Sequence, residues 1–165
     1  MNDKRVLAVF DFDGTITTRD TLPVFIRFAV TLFHLLKGTM YMAPFVLLFK
    51  LKVIPNYTAK ERLFKTFFKG ISIDSFNELS QRFITNIEQI VNPVALEKIK
   101  WHQQMGHEVI IISASVENWI RPWAKKYGIN TVLATGLQLE NNIITGNFLT
   151  KNCHGAEKVN RLLAA

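Results

Sequence analysis

The chain has 165 residues, 48% hydrophobic and 20% charged, so it can bury a core and lacks the composition of a disordered segment. Its net charge is +7, and a single cysteine, Cys153, excludes an internal disulfide and any cysteine-based metal spacing. That length suits one domain, or one domain carrying a large insertion, and with no signal-peptide pattern at the N-terminus a reducing cytoplasmic setting is expected.

The first informative stretch is Val6 to Phe10, five apolar residues running into Asp11-Phe12-Asp13-Gly14-Thr15. An unbroken apolar run ended by a turn residue predicts a strand buried on both faces, as in a parallel sheet. Its carboxyl end is where open α/β sheets bind ligands. The pattern D-x-D-G-T arises by chance at on the order of 10⁻⁵ of positions, so chance is a poor account of it.

Beyond a loop at Thr15 to Thr18, Asp20 or Thr21 caps a helix with Pro23 in its first turn, predicted to run to Leu36 and stop at Gly38. A second apolar helix is expected over 39–50, starting late or kinked at Pro44. Its longest charge-free stretch, Gly38 to Phe49, is well short of the ~20 residues that cross a bilayer, so lying on or packing into something fits better than spanning. Thr58-Ala59-Lys60-Glu61 reads as a capping box opening a third helix that ends before Gly70. Ser72 or Asp74 caps a fourth, through Gln89, and Asn92-Pro93 starts a fifth, stopped by Gly106.

The period then changes. Glu108 to Ile112 predicts a second buried strand, ending in Ser113-Ala114-Ser115, with Ser115 favoured as the cap of a helix that closes at Gly128. Thr131 to Ala134 follows as a third parallel strand, then a hairpin over Leu137–Phe148 turning at Asn141-Asn142, then a last helix over 155–163. The layout is α/β: a Rossmann-like parallel sheet built from 1–16 and 91–165, with a helical-bundle cap inserted as 17–90 after the first strand.

Neighbouring parallel strands bring Asp11 and Asp13 together with Ser113 and Ser115, and Lys158 is a third candidate for that edge. A carboxylate nucleophile, a second carboxyl, a hydroxyl and an ammonium form the parts list for phosphoryl transfer through an aspartyl phosphate. Two carboxylates this close repel, so a divalent cation on Asp11 and Asp13, or a raised pKa on one of them, is expected; magnesium suits oxygen ligands and an incoming phosphate. Asp11 would attack phosphorus, Asp13 would protonate the departing oxygen and later activate water, and Gly14 lets backbone amides approach the phosphate.

These residues resemble the haloacid dehalogenase (HAD) superfamily, subfamily IB, the branch similar to phosphoserine phosphatase. Asp11-Phe12-Asp13-Gly14-Thr15 matches its first motif, Ile111-Ile112-Ser113-Ala114-Ser115 its second, and Thr145-Gly146-Asn147 through Glu157-Lys158 its third. The resemblance implies a magnesium-dependent phosphatase with Asp11 as nucleophile, Asp13 as acid/base, and Ser113 and Lys158 as phosphate binders beside Gly14, Thr15 and Ala114. It also implies a fourth, acidic glycine motif with further magnesium ligands after the Lys158 helix. The chain reaches Ala165 without it, so a truncated form with an incomplete metal site and an exposed first strand is expected. Phosphoserine phosphatases use a cap carboxylate and a cap arginine; Asp20 stands at the first position, where helix capping is the favoured role, and Phe64 at the second, with Arg62 and Lys65 near it.

Residues 22–70 hold eight basic side chains against the single acid Glu61, equal to the whole net charge, and ten of the nineteen aromatics. A basic, apolar cap suits a small phosphorylated substrate with an apolar portion, a lipid phosphate or a phosphoserine-like molecule, and peripheral membrane contact. A solvated basic face is the alternative, purely structural reading. Nucleic acid is not expected, because no binding motif accompanies the charge. The competing class is a catalytically inactive or fragmentary relative that binds phosphate or a partner.

Overall fold

A computed structural model describes residues 6–51, 53 and 55–149. Its core is a parallel sheet of β1 (Leu7–Asp11), β2 (Glu108–Val116) and β3 (Thr131–Thr135), in the spatial order β1-β2-β3. The central strand is apolar without alternation because both its faces are covered: Val109 to Ser113 are all buried. The outer strand departs from the expectation of two buried faces. Leu7 and Val9 remain 46% and 40% exposed, opposite a side on which Phe10 meets His102 edge to face at 5.9 Å. No described element covers that outer face.

The chain leaves β1 through a wide turn, closed by the Thr17 N–H on the Phe12 carbonyl at 2.9 Å. Phe12 and Ile16 are fully buried and anchor it, and Gly14 takes φ +75°, a conformation in which side-chain-bearing residues are strained. The turn opens into the helical insertion, α1 (Thr21–Ala29), α2 (Leu32–Lys50), α3 (Asn56–Phe68) and α4 (Ile73–Glu88), and the chain returns to the core as α5 (Pro93–Gln104). The two connections lie side by side, Thr18 N–H on the Ile90 carbonyl and Asn92 N–H on the Ile16 carbonyl, both at 2.8 Å. Beyond β2 come α6 (Glu117–Lys126), β3, and the hairpin of β4 (Leu137–Glu140) with β5 (Ile143–Phe148). Asn141 and Asn142 both take positive φ at its turn, as a tight hairpin with matching strand twist requires.

Three boundaries differ from the sequence reading. The first cap helix ends at Ala29, not near Leu36, because Val30 is extended and Thr31 caps a new helix. That second helix runs through Gly38 and Pro44. Gly38 is buried against the Phe67 ring, where a Cβ would lie 2.3 Å from it, so the glycine serves close packing of α2 on α3 and not helix termination. The Thr58–Glu61 capping box does not form: α3 begins three residues earlier, after Pro55, and the Glu61 carboxylate accepts instead from the Phe148 N–H at 3.0 Å.

The insertion has an aromatic centre. Phe25 meets Phe68, Phe76 and Phe83 at ring separations of 5.4, 5.3 and 5.0 Å, and stacks on Trp119 of α6 at 4.5 Å. Such contacts add about 0.5–1.5 kcal/mol each to the burial of the rings. A polar seam ties α4 to α6 as well, with Tyr127 donating to Glu88 and Asn118 to Asn77, both at 2.7 Å. The hairpin closes the other side by pairing with 70–73 and crossing α3 at Gly146. There φ is +86° and a Cβ would fall 2.7 Å from the Lys65 Cα. Gly146→Ala is therefore expected to cost about 1–3 kcal/mol, read as a lower denaturant midpoint with an unchanged slope.

Candidate active site

β1 and β2 run parallel with Asp11 opposite Ile112, so both strands deliver their polar ends to one edge. The Asp11 carboxylate accepts from the Phe12 N–H at 2.8 Å, which fixes the side chain at the start of the turn. Two residues on, Asp13 reaches under the first turn of α1. Its Oδ1 accepts from the Thr21 N–H at 2.9 Å and the Thr21 hydroxyl at 2.7 Å, and its Oδ2 accepts from the Ser115 hydroxyl.

Burial pushes the Asp13 carboxyl above the ordinary carboxylate value, and the nearby Asp20 charge adds to that; the bonds from Ser115 and Thr21 oppose both. Asp20 also caps α1 by accepting from the Leu22 N–H at 3.0 Å, the role that the sequence favours for it. Ser113 is fully buried, its Oγ accepting from the Ser115 N–H at 3.0 Å, and the Ala114 carbonyl accepts from Thr135 Oγ1 at 3.1 Å. Gly14 and Thr15 lie exposed on the turn, the Thr15 carbonyl held by the Asn92 side chain at 3.2 Å. The structure thus gathers Asp11, Asp13, Gly14, Thr15, Ser113 and Ala114 at one edge. Lys158 and Cys153 lie outside the described residues.

One assignment changes. Ser115 does not cap the following helix: Val116 occupies the cap position without a side-chain bond, and the Ser115 hydroxyl goes to Asp13. The Asp13 carboxylate, expected to share a metal ion with Asp11, accepts three hydrogen bonds from within the protein. Thr21 and Trp119 are the site-forming residues that the sequence hid. Their partners lie eight and ninety-eight residues away from Thr21, so no local pattern marks them.

Magnesium binds through hard oxygen ligands, commonly one or two carboxylates together with substrate oxygens. Asp11 at the strand end fits that chemistry. Among the described residues no group of three or more His, Cys, Asp or Glu side chains could hold a metal ion.

Position 64 is decisive for the cap. Phe64 is fully buried among Phe68, Phe76 and Phe148, at 5.0, 5.9 and 5.6 Å, so nothing there can pair with a substrate carboxylate. The cap's exposed side is instead α2. Among the described residues its segment Leu32–Phe49 alone is long and apolar enough to cross a membrane by length and composition, and only 11% of it is buried. Leu32, Phe33, Met40 and Tyr41 are each more than 60% exposed. Beside it lies an open groove of about 580 Å³ lined by Ile26, Arg27, Leu35, Met42, Leu63 and Phe67. The sequence split this helix in two and so undercounted its apolar length.

A parallel α/β sheet with paired aspartates at the first strand end and a helical insertion after it defines a class of capped hydrolase folds. The haloacid dehalogenase-like hydrolase family matches residues 8–165, and the chain belongs to that family. It is 24% identical over 167 residues to Protein CicA of Caulobacter vibrioides, covering 98% of this chain and 73% of that relative. Its fold is similar to that of a protein of unknown function from Bordetella pertussis Tohama I, with a TM-score of 0.82 at 17% identity over 96% of this chain and 72% of that one. It also resembles a substrate-bound phosphoserine phosphatase, with a TM-score of 0.66 at 19% identity over 99% and 71% of the respective chains.

Because Asp13 is held above its ordinary pKa, its ionisation opposes folding. A raised folded-state value means that the stability it favours is present below the unfolded carboxylate pKa and is lost as pH rises through the folded one. Asp13→Asn is therefore expected to raise the melting temperature at neutral pH, with the gain shrinking as pH falls. Melts across mildly acid to neutral pH check this; a gain that grows on acidification contradicts it.

Proposed function

We propose that the protein is a phosphatase that hydrolyses a phosphomonoester carrying an apolar portion, through an aspartyl-phosphate intermediate on Asp11. An Asp11 carboxylate oxygen attacks phosphorus and the bond from phosphorus to the leaving oxygen breaks. That oxygen takes a proton from Asp13. Water then attacks the aspartyl phosphate as Asp13 accepts its proton, releasing inorganic phosphate and restoring Asp11. The observation carrying this reading is the pair of carboxyls at one strand end, with Asp13 half-buried and its carboxyl pushed above the ordinary carboxylate value by burial. Ser113, Gly14, Thr15, Ala114 and Lys158 are the proposed phosphate contacts. A magnesium ion held at Asp11 would neutralise charge on the phosphate.

Support for an apolar substrate comes from the cap. The buried Phe64 speaks against an amino-acid carboxylate as the second recognition element, and the exposed apolar α2 lies beside Arg27, Lys37 and Arg62. That arrangement suits a lipid phosphate presented at an anionic bilayer, with peripheral attachment of a cytoplasmic protein.

Phosphate release from an aryl phosphate, phosphoserine and a lysophosphatidate, with and without Mg²⁺, tests both parts. Activity is expected to need Mg²⁺ and to favour the lysophosphatidate over phosphoserine, and Asp11→Asn should lower it by on the order of 10³-fold or more. Turnover surviving that substitution removes the covalent mechanism. On vesicles containing phosphatidylglycerol, association should weaken with salt, and Lys37→Ala should reduce it about fivefold. No binding at low ionic strength removes the membrane part and leaves the chemistry standing.

A further inference from the structure

The donors around Asp13 have their directions fixed by the chain beyond them. An indole N–H can only donate. The Trp119 Nε1–H reaches the Thr21 hydroxyl at 3.2 Å, so Thr21 accepts there and its one proton is left for Asp13 Oδ1. The Thr21 main-chain N–H takes a second position on the same oxygen, and Ser115 takes one on Oδ2. A carboxyl group offers about four lone-pair positions; among the described residues three are filled, and the fourth is on Oδ2. Thr21 and Trp119 are fully buried and Ser115 nearly so, which keeps water from competing for these bonds.

We propose that Thr21, Ser115 and Trp119 are positioning residues for the reaction, orienting the Asp13 carboxyl so that the remaining Oδ2 position exchanges its proton with the leaving oxygen and then with the attacking water. The inference rests on the acid/base reading of Asp13 and goes beyond it, since Thr21 belongs to the inserted helices and Trp119 to α6. Ser115 belongs to the sheet, so two separate elements bond one carboxyl and a third bonds the hydroxyl that holds it. Packing explains why Trp119 stacks on Phe25. It does not require the indole N–H to end on the hydroxyl that already holds Asp13. Two of the three bonds that orient Asp13 are therefore present only while α1 lies against the sheet edge.

Misplacing a general acid harms poor leaving groups more than good ones, because a leaving group that departs readily as an anion needs little protonation. The test compares an aryl phosphate with an alkyl phosphate in the full chain, using Asp13→Asn as the reference. Thr21→Val and Ser115→Ala should each lower kcat on the alkyl ester by on the order of tenfold, with a much smaller loss on the aryl ester. KM should change little, and Thr21→Ser should restore turnover. Equal losses on the two esters, or none, while Asp13→Asn discriminates between them, overturn the positioning role alone. If Asp13→Asn does not discriminate, the acid assignment falls and this inference falls with it.

A second measurement stands apart from turnover. The Trp119 indole ¹H–¹⁵N resonance should move in Thr21→Val and stay in place in Thr21→Ser. A resonance unchanged by both substitutions overturns the network.

Discussion

An ionisable carboxyl under a packed helix costs on the order of several kcal/mol unless its oxygens are bonded, and the arrangement at Asp13 follows from meeting that cost. The N-terminus of α1 supplies a main-chain N–H and the favourable end of a helix dipole. Thr21 and Ser115 supply hydroxyls. Burial and Asp20 still outweigh these bonds, so the group keeps its proton more readily than an exposed aspartate. Asp11, two residues earlier, is bonded to the Phe12 N–H at the turn's edge. Two chemically identical side chains are thus given different environments by one turn of the chain.

The aromatic cluster does for the whole insertion what the donors do for one carboxyl. Phe25, Phe64, Phe76 and Phe83 on three cap helices converge on Trp119, which belongs to the core. The ring of Trp119 faces that cluster while its N–H faces the site. Burial of apolar area and the hydrogen-bond chain that ends on Asp13 therefore share a single side chain.

Much of this was legible in the sequence. The run from Val6 into Asp11 and Asp13 announced a strand end carrying chemistry, V-I-I-I announced its neighbour, and Asn141-Asn142 announced the hairpin, because each is a local pattern with a local cause. What stayed hidden depends on distant partners. Gly38 looks like a stop signal until Phe67 is placed against it, and Thr58–Glu61 looks like a capping box until Phe148 claims the Glu61 carboxylate. Ser115 reads as a helix cap because serine is among the residues preferred at that position. The competition for its hydroxyl came from Asp13, 102 residues earlier.

The two connections at the base of the insertion carry a further consequence. Residues 16–18 and 90–92 are hydrogen-bonded to one another, so the ends of the inserted segment already meet. The entropy of closing such a loop grows only with the logarithm of its length, about 0.6 kcal/mol per doubling. Lengthening, shortening or replacing the material between these ends is therefore inexpensive for the sheet, provided that a helix start with a hydroxyl-bearing first residue is kept beside Asp13. The inserted segment can therefore change while the strand ends that carry Asp11 and Ser115 stay in place, and the exposed surface of α2 lies outside the bonds that hold Asp13.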